Sequence, residues 1–98
     1  NPASALVVFE LLVRPALKQM MGAKQIYRPE AEARLLQAVK PSPGRLHFMR
    51  AVYDSTEGTL EPFQGQGSSN LWSAARANAL LPVHEAYEAN QSVSCLLL

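Results

Sequence analysis

The sequence predicts a mainly β fold: a small barrel-like β domain with one short helix, preceded by a long N-terminal α-helix. Three observations carry this. Apolar residues run almost unbroken from Ala5 to Val13 inside a stretch bounded by Pro2 and Gly22. Beyond Pro41, short apolar stretches alternate with turn clusters, first Pro41-Ser42-Pro43-Gly44 and then Asp54-Ser55-Thr56-Glu57-Gly58. Finally, 98 residues with 48% hydrophobic content, seven Pro and five Gly suit one small packed domain.

The first helix is expected over 1–22. Asn1 is a favoured N-cap, Pro2 suits the first helical position, and Gly22 offers a left-handed stop. Pro15 lacks the N–H that would bond four residues back, which predicts a bend near Leu11 to Leu12. The unpaired amides near Ala3 and Ser4, with the Ser4 hydroxyl beside them, offer donors and a positive dipole end to an oxyanion. Hydrophobicity almost all round the helix means burial on most faces, or a sticky exposed stripe where its neighbours are missing. A membrane span is not expected, because about twenty apolar residues are needed and Glu10, Arg14 and Pro15 interrupt this run. Nor does a basic leader precede it.

Ala23 to Arg28 reads as a short linker or a first strand, and Pro29 keeps Arg28 out of a helix. The segment from Glu30 to Val39 is ambiguous. Its residues are strong helix formers, yet Ala31, Ala33 and Leu35 alternate with Glu30, Glu32 and Arg34 at the strand period. A strand follows the Pro41–Gly44 turn, with Leu46, Phe48 and Arg50 on one face and Arg45, His47 and Met49 on the other. Asp54 to Gly58 reads as a hairpin loop with Gly58 at positive φ, and Pro62 restricts the returning strand to an edge or a strand end. Ser68 or Ser69 is placed to cap a short helix from Leu71 to Asn78. Ala79 to Val83 and Ser92 to Leu98 complete the set as two short strands around the 84–91 loop.

Net charge is +1 and Lys and Arg are scattered, so nucleic acid is not an expected partner. The single cysteine, Cys95, lies in an apolar run and reads as a buried small hydrophobe, which fits a reducing, cytoplasmic setting. His47 and His84 stand without ligands at metal spacing, and no nucleophilic triad, P-loop or dinucleotide fingerprint is present, so neither a catalytic nucleophile nor a metal site is assigned. Trp72 reads as a packing residue; Arg76 faces either solvent or a ligand cleft.

Four stretches in one order resemble a known family. NPASALVVFELLVRPAL resembles the GNPxSxxxxFxxxVRPAL segment of the molybdopterin molybdenumtransferases, the MoeA and gephyrin E-domain family. Arg45 to Arg50 resembles its R-x-x-F-x-R strand, Gly65 to Ser73 its glycine-serine turn, and Ala77 to Pro82 its AnaLxxLP strand. The resemblance implies that 1–22 is the terminal helix of a preceding α/β domain, molybdopterin-binding-like, and that 23–98 is the C-terminal β-barrel-like domain. It also resolves Glu30 to Val39 as strand. Family members are several times longer, so the chain is expected to be a piece of an enzyme, inactive alone. A start inside the NPxS motif, without its preceding Gly, agrees with that.

The reaction the resemblance implies joins molybdate to the dithiolene of adenylylated molybdopterin, releasing AMP and giving molybdenum cofactor. Magnesium is expected at the nucleotide phosphates, mostly outside this chain. The implied molybdate site uses Ser4, Arg45 and one of Ser68 and Ser69, with Arg50 in support. On the residues alone these are a helix cap, partners for surface acids such as Glu30, Glu32 or Glu61, and turn serines. The implied partners are a homodimer mate and the molybdopterin adenylyltransferase. The alternative reading is a structural or partner-binding domain, as in gephyrin-like scaffolds. One departure stands near the end, where Ala89-Asn90-Gln91 replaces the family's Ala-Gly-Glu. Asn can keep the left-handed turn, but Gln91 lacks the acid's charge.

Overall fold

Alternation at period two governs the molecule, and a computed structural model shows where each face goes. It describes residues 5, 7–41, 46–63 and 75–98. Five strands lie among these: β1 (Glu30–Leu35), β2 (His47–Asp54), β3 (Thr59–Pro62), β4 (Ala79–Val83) and β5 (Ser92–Leu97). They close into a barrel in the order β1-β3-β2-β4-β5. Only the β1–β3 pairing is parallel; the other four are antiparallel. Closure gives each of the described strands a partner on both sides, if only over two residues for β1–β3 and β4–β5.

The interior is built from facing pairs. Ala33 lies opposite Val93, Ala31 opposite Cys95, Met49 opposite Leu81, Ala51 opposite Ala79, and Leu60 opposite both Tyr53 and Leu35. Leu35, Ala51, Leu60, Ala79 and Val83 have no accessible surface. Alanines at four inward positions, Ala31, Ala33, Ala51 and Ala79, let the strands approach closely around the larger leucines and valines, as a small barrel requires. Each buried leucine contributes about 1.5–3 kcal/mol against leaving it in water.

In β1 the inward residues are Ala31, Ala33 and Leu35 and the outward ones Glu30, Glu32 and Arg34. Alternation therefore overrides the helix propensity of these residues, because the outward charges stay wet while the inward methyls join the core. The strand stops at Leu35 rather than reaching Val39, which makes only an isolated bridge with Tyr87. Its antiparallel partner β5 begins at Ser92, opposite Arg34, and its parallel pairing with β3 ends at Leu35, opposite Leu60. Ala23 to Arg28 is a linker, not a strand.

The N-terminal region is helical, with a π-helical turn over Phe9–Val13 leading into α1 (Arg14–Met20). The Arg14 N–H reaches back to the Phe9 carbonyl, widening the helix immediately before Pro15. This is the form taken by the disturbance expected from a proline with no N–H to give. Gly22, at φ 75°, ends α1: its N–H bonds the Gln19 carbonyl at 3.1 Å, and the Ala23 N–H bonds that of Lys18 at 3.0 Å. That pair of bonds is the Schellman stop.

The hairpin between β2 and β3 turns at Gly58, φ 67°, while the Asp54 carboxylate accepts from the Thr56 and Glu57 amides. Pro62 ends β3, past the point where pairing with β1 has finished. The second expected helix is corrected at its end. Helix is present at Ala75 and Arg76 but not at Asn78, whose backbone is already bonded to β2; Leu71 to Ala74 lie outside the described residues. The Asn90 turn survives without glycine, at φ 71°.

Candidate functional site

Of the residues expected to bind molybdate, Arg50 is the one the described structure contains; Ser4, Arg45, Ser68 and Ser69 lie outside the described residues, as does Trp72. Arg50 sits mid-strand in β2. The neighbouring odd-numbered residues Met49 and Ala51 fill the barrel, so alternation sends Arg50 to the outer face, where its register partner is Leu80. Outer-face residues of a small barrel are normally wet, yet Arg50 is 7% exposed and Leu80 1%. A second layer therefore covers this part of the barrel. Burial draws the Arg50 guanidinium below its usual value, by removing water from a charge.

The N-terminal helix and its linker form part of that layer. A small void of about 50 Å³ separates Leu11 and Pro15 of the helix, with Tyr27 of the linker, from Leu80, Leu96 and Leu98 of the barrel. At its margin Arg28 grips Glu10 in two bonds, Nε to Oε2 at 2.9 Å and Nη2 to Oε1 at 3.2 Å. Such a two-point pairing fixes angle as well as distance. Away from the barrel the helix is bare: Leu12 is 66% exposed and Met20 83%, with Val8, Phe9, Val13 and Leu17 also exposed. The sticky stripe foreseen for an unpartnered helix is present.

On the other side of Arg50 the outer face opens into a cleft of about 250 Å³, lined by Gln37, Val52, Glu61, Pro62, Phe63 and Arg76. The Phe63 N–H donates to the Arg50 carbonyl at 3.0 Å, and the Arg76 guanidinium lies 5.6 Å from the centre of the Phe63 ring. Arg76 is exposed and borders this cleft. Sequence reasoning missed the Glu10–Arg28 pair, since eighteen positions separate the partners and nothing local marks them.

The remaining titratable groups are placed structurally. Cys95 is buried in the barrel, where desolvation pushes its thiol up, a backbone bond with Ala31 works against this, and the charge of Glu32 adds to it. His84 stands at the surface, edge-on to Tyr87 and 3.8 Å from Glu85. Among the described residues no group of three or more His, Cys, Asp or Glu side chains converges, so these residues do not fit a magnesium site. Among them, too, no helix is long and apolar enough to cross a membrane.

Comparison with known proteins agrees with this geometry. Residues 32–98 match the model of the MoeA C-terminal region (domain IV). The chain is 39% identical over 85 residues to molybdopterin molybdenumtransferase 2 of Mycobacterium tuberculosis, covering 87% of this chain and 21% of that protein. It is 40% identical over 80 residues to the molybdopterin molybdenumtransferase of Haemophilus influenzae, covering 76% and 19%. Among solved structures, a molybdenum cofactor biosynthesis protein from Pyrococcus furiosus superposes with TM-score 0.87 at 30% identity, covering all of this chain and 36% of that one. The molybdopterin biosynthesis moeA protein of Pyrococcus horikoshii OT3 gives 0.86 at 28%, covering 99% and 25%. The chain thus spans about a fifth of the length of these enzyme relatives. A matched region of this extent, on a barrel of the same fold, means that the chain belongs to the MoeA C-terminal domain IV family of molybdopterin molybdenumtransferases.

Proposed function

We propose that this chain is the C-terminal part of a molybdopterin molybdenumtransferase, and that it helps to form a molybdate site where the preceding domain meets the barrel. In this reading 1–22 is the last helix of an α/β domain and 23–98 is the barrel domain. The bare face of the helix supports that division, since Leu12, Val13 and Met20 stand exposed there.

The observation that carries the reading is Arg50. A guanidinium this buried on the outer face of a barrel strand, beside a layer contributed by the N-terminal helix, is suited to hold an anion rather than to serve solubility. Ser4, Arg45 and one of Ser68 and Ser69 are proposed as direct ligands, with Arg50 in support. The full-length enzyme would bring molybdate, a dianion, against the dithiolene of adenylylated molybdopterin and release AMP. Joining two anions costs electrostatic energy, so preorganised cationic and hydroxyl donors serve better than a nucleophile. The pterin nucleotide and its magnesium are assigned to other parts of the enzyme, as are a homodimer mate and contacts with the adenylyltransferase. The cytoplasm is the proposed setting.

The test is molybdate-dependent cofactor synthesis by the full-length enzyme, wild type against Arg45→Ala, at low and saturating molybdate. A loss rescued by high molybdate supports the oxyanion site. Unchanged activity at both concentrations would leave the domain a structural or scaffold role instead.

A further inference from the structure

We infer that Glu10 and Arg28 are positioning residues for the oxyanion site: their two-point ion pair fixes the angle of the N-terminal helix on the barrel. This rests on the proposed function and adds to it residues that are not themselves ligands.

Arg28 belongs to the frame of the barrel. The next residue, Pro29, accepts the Leu97 N–H at 2.8 Å, and β1 begins at Glu30, opposite Leu96. Glu10 belongs to the helix. Between the two lies only the linker from Gly22 to Tyr27, which makes no ladder and starts at a left-handed glycine. Apolar contact alone would hold the helix loosely. Pro15 is its one buried residue over Phe9 to Met20, and the apolar contact with Leu80, Leu96 and Leu98 encloses a void. The Glu10–Arg28 pair is three-quarters buried, so water screens it less than a surface pair. Its two parallel bonds resist rotation of the helix as well as its departure. Leu80, on the floor beneath the pair, is the register partner of Arg50, so any tilt of the helix falls on the face that carries Arg50. Loss of Arg28 would also leave the Glu10 carboxylate uncompensated on a face proposed to receive a dianion.

The experiment uses the full-length enzyme with Arg28→Ala, Arg28→Lys and the charge-swapped pair Glu10→Arg with Arg28→Glu, and with Arg45→Ala as the reference. Arg28→Ala should raise KM for molybdate about tenfold, an order below what an ångström of misplacement can cost, with kcat at saturating molybdate retained. It should also speed trypsin cleavage after Lys24, in the linker. Lysine at 28 should restore KM in part, as a single-point partner, and the swapped pair should restore it further. An unchanged KM in Arg28→Ala, with KM raised in Arg45→Ala, would overturn the inference and leave the proposed function standing. A fall in kcat with KM unchanged would mark a merely structural role and overturn it too. If Arg45→Ala also changes nothing, the proposed function fails, and the positioning role with it.

Discussion

The side-chain amide of Asn78 takes both backbone groups of Tyr53, its Oδ1 accepting the Tyr53 N–H at 2.6 Å and its Nδ2 donating to the Tyr53 carbonyl at 2.9 Å. An amide side chain here imitates one more rung of the β2–β4 ladder, at the point where the chain joins β4. Its own N–H donates to the Ala51 carbonyl, and its carbonyl accepts from Leu98, so one residue ties three strands.

Asn78→Ala should therefore destabilise the fold by about 1–2 kcal/mol, since two exposed hydrogen bonds are lost and water replaces part of each. Asn78→Asp keeps the acceptor and loses the donor, and should fall between. Urea unfolding midpoints of the three proteins check the order.

Asn90 turns the chain into β5 at φ 71°, donating its N–H to the Leu35 carbonyl at 2.6 Å while its Oδ1 accepts from Arg34 at 2.8 Å. A Cβ without a compensating polar group is costly in this conformation, so Asn90→Ala should lose about 1–2 kcal/mol. Asn90→Gly relieves the backbone but forfeits the Arg34 bond, and should stay within about 0.5 kcal/mol of wild type. Thermal or urea unfolding separates the two. Gln91 has taken a non-ionic role, accepting the Glu88 N–H at 3.0 Å, which answers the lost charge at that position.

Cys95 should be inert to thiol reagents in the folded protein at neutral pH and react on unfolding, because the thiolate is the reactive species and burial disfavours it. The pH dependence follows from the same shift. With the folded value raised, the unfolded chain releases its thiol proton first, near the ordinary value of about 8.5, and the folded chain keeps it. Stability is thus unaffected by this group below that value and falls as pH climbs from it towards the raised folded value. Tyr87, pushed up by burial and then by the charge of Glu85, acts with the same sign at higher pH. Urea midpoints from neutral to alkaline pH should decline less steeply in Cys95→Ala than in wild type.

Much of the fold was readable where a residue type has one physical use. β4 occupies the expected Ala79 to Val83, and the left-handed turns fall on Gly22, Gly58 and Asn90. Local rules failed where tertiary pairing decides. Helix formers in β1 became a strand because alternation fills a barrel, and Asn78 left the expected helix because its amide found Tyr53. The resemblance, not the spacing, pointed to Arg50; its burial on an outer barrel face is a tertiary property that strand alternation does not announce. Glu10 and Arg28 carried no local mark at all, since an ion pair across the chain becomes visible only once the helix is laid on the barrel.

The most direct test of the molybdate site is an anomalous-diffraction map of the full-length enzyme soaked with molybdate or tungstate, whose heavy centres locate themselves. The account predicts a peak bounded by the N-terminal helix and the Arg50-bearing outer face of the barrel, within bonding distance of Arg45. A peak only in other domains, with this face empty at saturating oxyanion, would contradict it.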